Sequence, residues 1–89
     1  MLYTFSKANY DLAWLTQTLA QFDENDIALL WQDGVLQAVK NAECFANVRT
    51  YVLSEDLHAR GLTDMNTFPE VELHEVVKLT EHYFPQIAL

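Results

Sequence analysis

Two carboxylates, one thiol and three imidazoles are the groups in this chain best suited to chemistry. Asp33 follows the apolar run Ile27-Ala28-Leu29-Leu30-Trp31, and Asp56 follows Val48-Arg49-Thr50-Tyr51-Val52-Leu53. Such runs read as buried strands, and the carboxyl ends of strands are where an α/β sheet collects its functional groups. Two carboxylates there are able to bind a metal or to work as an acid and a base. The same positions also suit acids with no chemical duty. Asp33, with Gly34, shapes a turn, and Asp56 complements the dipole of a helix start. Either duty is sufficient, and we adopt that reading. A phosphoacceptor domain would also need acids after the first strand, where this chain has Ser6-Lys7.

Cys44 would serve as a nucleophile or sulfur carrier if a cation or a helix N-terminus stabilised its thiolate. Its neighbours are Glu43 and Phe45, so sequence supplies an acid where a cation is needed. Packing is the simpler role, because free cysteine behaves as a small hydrophobe. His58, His74 and His82 lack the i, i+4 spacing of a helical zinc pair, and no Cys-x-x-Cys is present. With Gly34 and Gly61 as its two glycines, the chain has no glycine-rich phosphate loop. No metal, cofactor or catalytic residue is expected.

Size and charge narrow the classes further. A chain of 89 residues makes a single domain, 1–89, and buries roughly 60–65% of its unfolded surface. With 51% hydrophobic residues it has more apolar surface than so small a core hides, which favours a partner subunit. The same excess would drive self-association of the isolated chain. A net charge of −8, with five Lys and Arg against thirteen acids, argues against direct contact with nucleic acid or anionic membranes. No stretch reaches the roughly 20 apolar residues of a membrane span. The N-terminus lacks the basic lead and apolar core of a signal peptide. With one cysteine, the expected location is the cytoplasm.

The elements that must position these groups alternate. Leu2–Phe5 reads as a first strand. Asn9 is placed to cap a helix whose stripe is Leu12, Leu15, Leu19 and Phe22, with Asp11 in its first turn. Residues 27–31 do not alternate, so both faces of that strand should be covered, as in a parallel sheet. Val35, Leu36, Val39 and Ala42 suit a helix broken near Asn41. A third strand runs from about Val48 to Leu53, and a short helix capped by Ser54 ends at Gly61. A short strand at Val71–Leu73 and a helix over His74–Tyr83, with Val76, Val77, Thr80 and Tyr83 on one side, complete the pattern. Pro85 closes that helix and leaves an apolar tail, Gln86–Leu89. Strands alternating with helices imply right-handed crossovers. The expectation is a small, open, mostly parallel four-stranded α/β sheet, order 2-1-3-4, with helices on both faces and a flavodoxin-like layering.

If the Leu12 stripe faces the core, Tyr10 and Trp14, spaced i, i+4, face away from it, and exposed Trp and Tyr are typical interface anchors. Ile87 and Leu89 of the apolar tail form a second candidate surface. Asp33 and Gly34 complete the set of partner-interface candidates.

The chain resembles the TusB/DsrH family of sulfur-relay proteins over nearly its whole length. The resemblance rests on Met1-Leu2-x-Thr4, on Gln32-Asp33-Gly34-Val35, on Glu55-Asp56-Leu57-x-Ala59-Arg60-Gly61-Leu62, and on Val77-Lys78-Leu79-Thr80. It implies a DsrE/F/H-like fold and a structural subunit that joins TusC-like and TusD-like subunits in a heterohexamer. Such a complex takes persulfide sulfur from a TusA-like donor and passes it to a TusE-like acceptor. The sulfur ends in the 2-thio group of the tRNA wobble uridine. The reactive cysteine is implied to belong to the TusD-like subunit. DsrH-type members of sulfur oxidisers carry a first-helix cysteine, near the position of Thr18 here. Ala8-Asn9-Tyr10 replaces the Ser-Pro-aromatic common in the family, and Leu89 stands where a final Trp is usual. Two other readings remain: Cys44 as a persulfide carrier, and a homomeric signalling or ligand-binding module using Asp33 and Asp56.

Overall fold

The computed structural model describes residues 1–89. Five parallel strands form one sheet in the order β4-β3-β2-β1-β5: β1 Leu2–Phe5, β2 Ile27–Leu30, β3 Arg49–Leu53, β4 Glu70–Val71 and β5 Gln86–Ala88. The α/β class, the parallel sheet and the helices on both faces agree with the sequence. The sheet has five strands rather than four, and the order 2-1-3-4 is incorrect. Residues 86–88, expected as a tail, pair with β1 along Leu2↔Gln86, Tyr3↔Ile87 and Thr4↔Ala88. Three uncharged residues after a proline have no periodicity to reveal a strand.

The corrected order explains the layering. From β1 to β4 the chain steps in one direction, so right-handed crossovers put the intervening helices on one face. These are α1 Leu12–Ala20, a 3₁₀ segment Gln32–Leu36, α2 Gln37–Lys40, α3 Ala42–Phe45 and α4 Ser54–Ala59. The step from β4 to β5 returns across the sheet, which puts α5, Leu73–His82, on the opposite face. The core divides accordingly. Ala28 and Leu30 of β2 pack with Leu15, Phe45 and Leu57 on the first face. Ile27 and Leu29 pack with Leu53, Val71 and Val76 on the second. All four residues of β2 are fully buried, which is why its sequence does not alternate.

Three helix expectations need correction. Ser54 is the first residue of α4 and not its cap: the N-cap is Leu53, and the Ser54 hydroxyl donates to Glu70 instead. Asp11, not Asn9, caps α1, and its carboxylate accepts the Trp14 N–H at 3.0 Å. Leu12 is therefore the first helical residue and is 57% exposed, so the buried stripe is Leu15 and Leu19, with Phe22 partly covered. In α5 the packed side is Val76, Leu79 and Tyr83, whereas Val77 is 54% exposed. α5 starts with a capping box formed by Glu72 and Glu75. α4 ends as its glycine predicts. Gly61 adopts φ 65°, its N–H reaches His58 O, and Leu62 N–H reaches Leu57 O, the paired bonds of a Schellman motif.

Candidate partner interface

The turn after β2 is built around a close approach. A Cβ on Gly34 would lie 1.8 Å from the Phe5 carbonyl oxygen, so only glycine fits this position. Gly34 is buried, and its N–H donates to Trp31 O at 2.9 Å. Gln32 precedes it with φ 52°, a left-handed backbone that non-glycine residues adopt infrequently. Its N–H donates to the Asp56 carboxylate at 2.5 Å.

Arg60 then joins the two acids singled out by sequence. Its guanidinium donates to Asp33 Oδ1 from Nη2 at 2.7 Å and from Nε at 3.3 Å. Nη1 donates to the Asp56 main-chain oxygen at 3.0 Å and lies 3.7 Å from Asp56 Oδ1. Asp33 and Asp56 thus converge, but on a cation of their own chain. The arrangement fastens the 3₁₀ segment to α4. One positive and two negative charges at the surface make a brace with a net charge of −1, and both carboxylates are already engaged.

Tyr10 is the centre of a second junction. Its hydroxyl accepts Ser6 N–H at 3.0 Å and Lys7 N–H at 3.2 Å, and donates to the Leu89 main-chain oxygen at 2.9 Å. This is the carboxyl end of β1, beside β5, where the strand order reverses and α/β folds open a crevice. Here the Tyr10 ring occupies that space. It meets Phe5 edge-on at 5.6 Å and stacks on Trp14 at 5.8 Å, interplanar angle 13°. Tyr10, Trp14 and Leu89 therefore share one region, with Trp14 40% exposed at its edge. Tyr10 itself is half-buried, so it anchors the fold as well as bordering a surface. Ile87 is half-buried in the edge strand.

Lys40 and Gln37 finish this junction, and sequence gave no signal for either. Lys40 Nζ reaches Asn9 Oδ1 at 2.7 Å, which explains why Asn9 is not a helix cap. The fully buried Gln37 donates to Ala8 O at 2.8 Å and accepts from Asn41 at 2.6 Å. A polar residue buried in this way is satisfied by loop main chain that only the tertiary fold brings near.

Cys44 lies on α3, half-buried, in a groove of about 330 Å³ lined by Thr16, Leu19, Phe22 and Val48 among others. Its Sγ is 4.0 Å from Thr16 Oγ1. His58 and His74 border a second cleft of about 460 Å³ with Ser54, Glu55, Glu72 and Leu73. His58 Nε2 is 3.5 Å from Glu70, and His74 Nδ1 is 3.4 Å from Glu72. Ligand atoms of Glu72, His74 and Glu75 come within 4.8 Å of one another. Both carboxylates are already engaged in the capping box, Glu72 accepting the Glu75 N–H and Glu75 accepting the Glu72 N–H. The positive end of that helix also opposes a cation. No helix is long and apolar enough to cross a membrane.

Residues 7–86 match the family described as DsrH like protein. The chain is 37% identical over 95 residues to a protein of Haemophilus influenzae, with all of both chains covered. It is 35% identical over 95 residues to Protein TusB of Pectobacterium parmentieri and 36% identical over 97 residues to Protein TusB of Shigella flexneri, each covering 99% of both chains. The solution structure of protein Tm0979 from Thermotoga maritima has the same fold, with a TM-score of 0.68 and 23% identity over 91% of this chain and 92% of that one.

Proposed function

Because the chain belongs to the DsrH/TusB family, we propose that it is a non-catalytic subunit of a cytoplasmic sulfur-relay complex. In this reading it assembles with TusC-like and TusD-like subunits as part of a heterohexamer. The complex accepts persulfide sulfur from a TusA-like donor and passes it to a TusE-like acceptor for 2-thiolation of the tRNA wobble uridine. The observation that carries the non-catalytic role is the Asp33–Arg60–Asp56 brace. The most reactive-looking residues of the sequence are spent on joining two elements. Exposed apolar side chains, Leu12 and Trp14 on α1, Leu73 and Val77 on α5, and Phe84, instead offer surface to neighbours. The charge of −8 fits a subunit that leaves tRNA to another component.

Co-expression with the TusC- and TusD-like subunits, followed by size-exclusion chromatography and light scattering, tests the assembly. A chain that remains a monomer beside them refutes it. Loss of 2-thiouridine from tRNA when the chain is deleted, restored by the wild type and by Cys44→Ala, tests the non-catalytic role.

A second reading is favoured by one observation, the placement of the Cys44 thiol in a groove at the α1–α3 junction. There Cys44 would carry persulfide sulfur itself. It requires a mass gain of one sulfur atom on Cys44 after incubation with a persulfide donor, and loss of relay in Cys44→Ala.

A further inference from the structure

Helix α5 has two apolar sides, and the fold uses one of them. Val76, Leu79 and Tyr83 pack on the sheet. Leu73 and Val77 are more than half exposed, and Phe84, just past the last turn, is 72% exposed. Thr80 lies on this second side with them. Its hydroxyl donates to Val77 O at 2.7 Å, so the donor is spent within the helix and the methyl group remains to pack. Space is available beside α5. The sheet has five strands, roughly 4.8 Å apart, and so spans about 19 Å, whereas a helix with its side chains is about 10 Å across. As the one helix on its face, α5 covers about half of it.

The spacing of the second side selects its occupant. Leu73, Val77, Thr80 and Phe84 stand at steps of four, three and four, the spacing of a seam between helices. Those steps read the same from either end. An antiparallel copy of α5 therefore sets Leu73 against Phe84 of the second molecule and Val77 against its Thr80. Each contact is made twice, as a two-fold interface requires. The charges agree with this register. Glu81 comes beside His74 of the second copy at the rim of the seam, so a carboxylate meets an imidazole rather than another acid. Along α5, Glu75 and Glu81 stand against Lys78, a net −1 within a chain of −8, so two acidic molecules meet here with little repulsion. A basic partner would be drawn instead to the acidic turn of Asp23, Glu24 and Asp26. A sister subunit would have to carry the same reversible spacing, which a second copy has by identity. We propose that α5 and Phe84 form a homodimer interface, in which two copies of this chain pack antiparallel across a two-fold axis. This pairing needs no sulfur-relay partner and stands or falls apart from that reading.

Sedimentation equilibrium of the purified full chain tests the pairing, with Val77→Glu, His74→Glu and His74→Glu/Glu81→Lys as variants. Wild type is expected to be a dimer that dissociates on dilution. Val77→Glu brings a carboxylate into the seam from each copy and weakens association by about thirtyfold or more. His74→Glu sets two carboxylates against each other at both ends of the seam and weakens association by about fivefold. Adding Glu81→Lys restores it. An acid near the start of α5 and a lysine near its end both suit the helix dipole, so these two changes keep the monomer folded. They decide the matter if Val77→Glu does not fold. A wild-type chain that stays monomeric up to about 1 mM overturns the proposal. So does a dimer that Val77→Glu, folded by circular dichroism, leaves within about twofold of wild type. A loss in His74→Glu that Glu81→Lys fails to restore overturns the antiparallel register, and the proposal with it. A dimer that behaves as expected but ignores the TusC- and TusD-like subunits upholds this pairing and removes the subunit reading alone.

Discussion

Replacing Gly34 with alanine is expected to be the most damaging single-methyl change in the molecule. The added Cβ would lie 1.8 Å from Phe5 O and 2.5 Å from Phe5 C. Relief requires a main-chain shift of more than an ångström, because neither obstructing atom belongs to a flexible side chain. Phe5 O also accepts the Trp31 N–H at 3.2 Å, and Phe5 lies in the ladder between β1 and β2. Moving either side therefore strains the centre of the sheet. Overpacking a well-filled interior costs about 1–3 kcal/mol when side chains can yield. Here the obstacle is backbone, so about 3 kcal/mol or more is expected. A domain of this size has roughly 4–13 kcal/mol in total, and each kilocalorie lowers Tm by about 4–8 °C. Gly34→Ala should thus melt at least about 12 °C below wild type, if it folds. Gly61→Ala is the control. Gly61 also needs a left-handed backbone, but nothing lies within 4 Å of its added Cβ. It should cost about 1–2 kcal/mol. Urea denaturation followed by circular dichroism measures both, and a Gly34→Ala chain within about 1 kcal/mol of wild type would refute the close-approach argument.

Arg60→Met should destabilise the chain by about 1–2 kcal/mol, because it leaves Asp33 and Asp56 facing one another without their cation; Asp33→Asn should cost less, and a double-mutant cycle in urea checks the coupling. Tyr10→Phe removes one acceptor and one donor that together tie Ser6, Lys7 and Leu89. The expected loss is about 1–2 kcal/mol, with faster amide exchange at Leu89 and along β5 than in α1. Tyr3 should ionise above its ordinary value of 10.0, through burial first and then the nearby charges of Asp26 and Asp23. A folded pKa above the unfolded one means that stability is full below about pH 10 and falls as pH rises past it. Ultraviolet titration of the phenol checks this, and Asp26→Asn should lower the midpoint.

What was legible in sequence followed from local periodicity. The unbroken apolar run at 27–30 announced a strand covered on both faces, and Gly61 announced the end of α4. Gly34 and Asp56 drew attention for turn and helix-start chemistry. Their decisive partners, Phe5 O and the Gln32 N–H, lie 29 and 24 residues away in sequence. No local pattern encodes such distances. Strand order escaped for a similar reason: β5 is three uncharged residues, and its place beside β1 is fixed by packing of α5 across the sheet. Asn9 has the residue type of a helix cap, but Lys40, 31 residues on, takes its side-chain oxygen.

The return step from β4 to β5 also orders events in time. β1 is the first strand to be synthesised, yet its outer edge waits for Gln86–Ala88, and the second face of the sheet waits for Val76 and Leu79 of α5. On a ribosome, residues 1–72 can assemble one helix-covered layer while Leu2, Ile27 and Leu29 still face water. A growing chain in that state carries both an open sheet edge and an apolar face, the features that favour misassembly. Shelter for β1 therefore depends on residues more than 70 positions further along the chain.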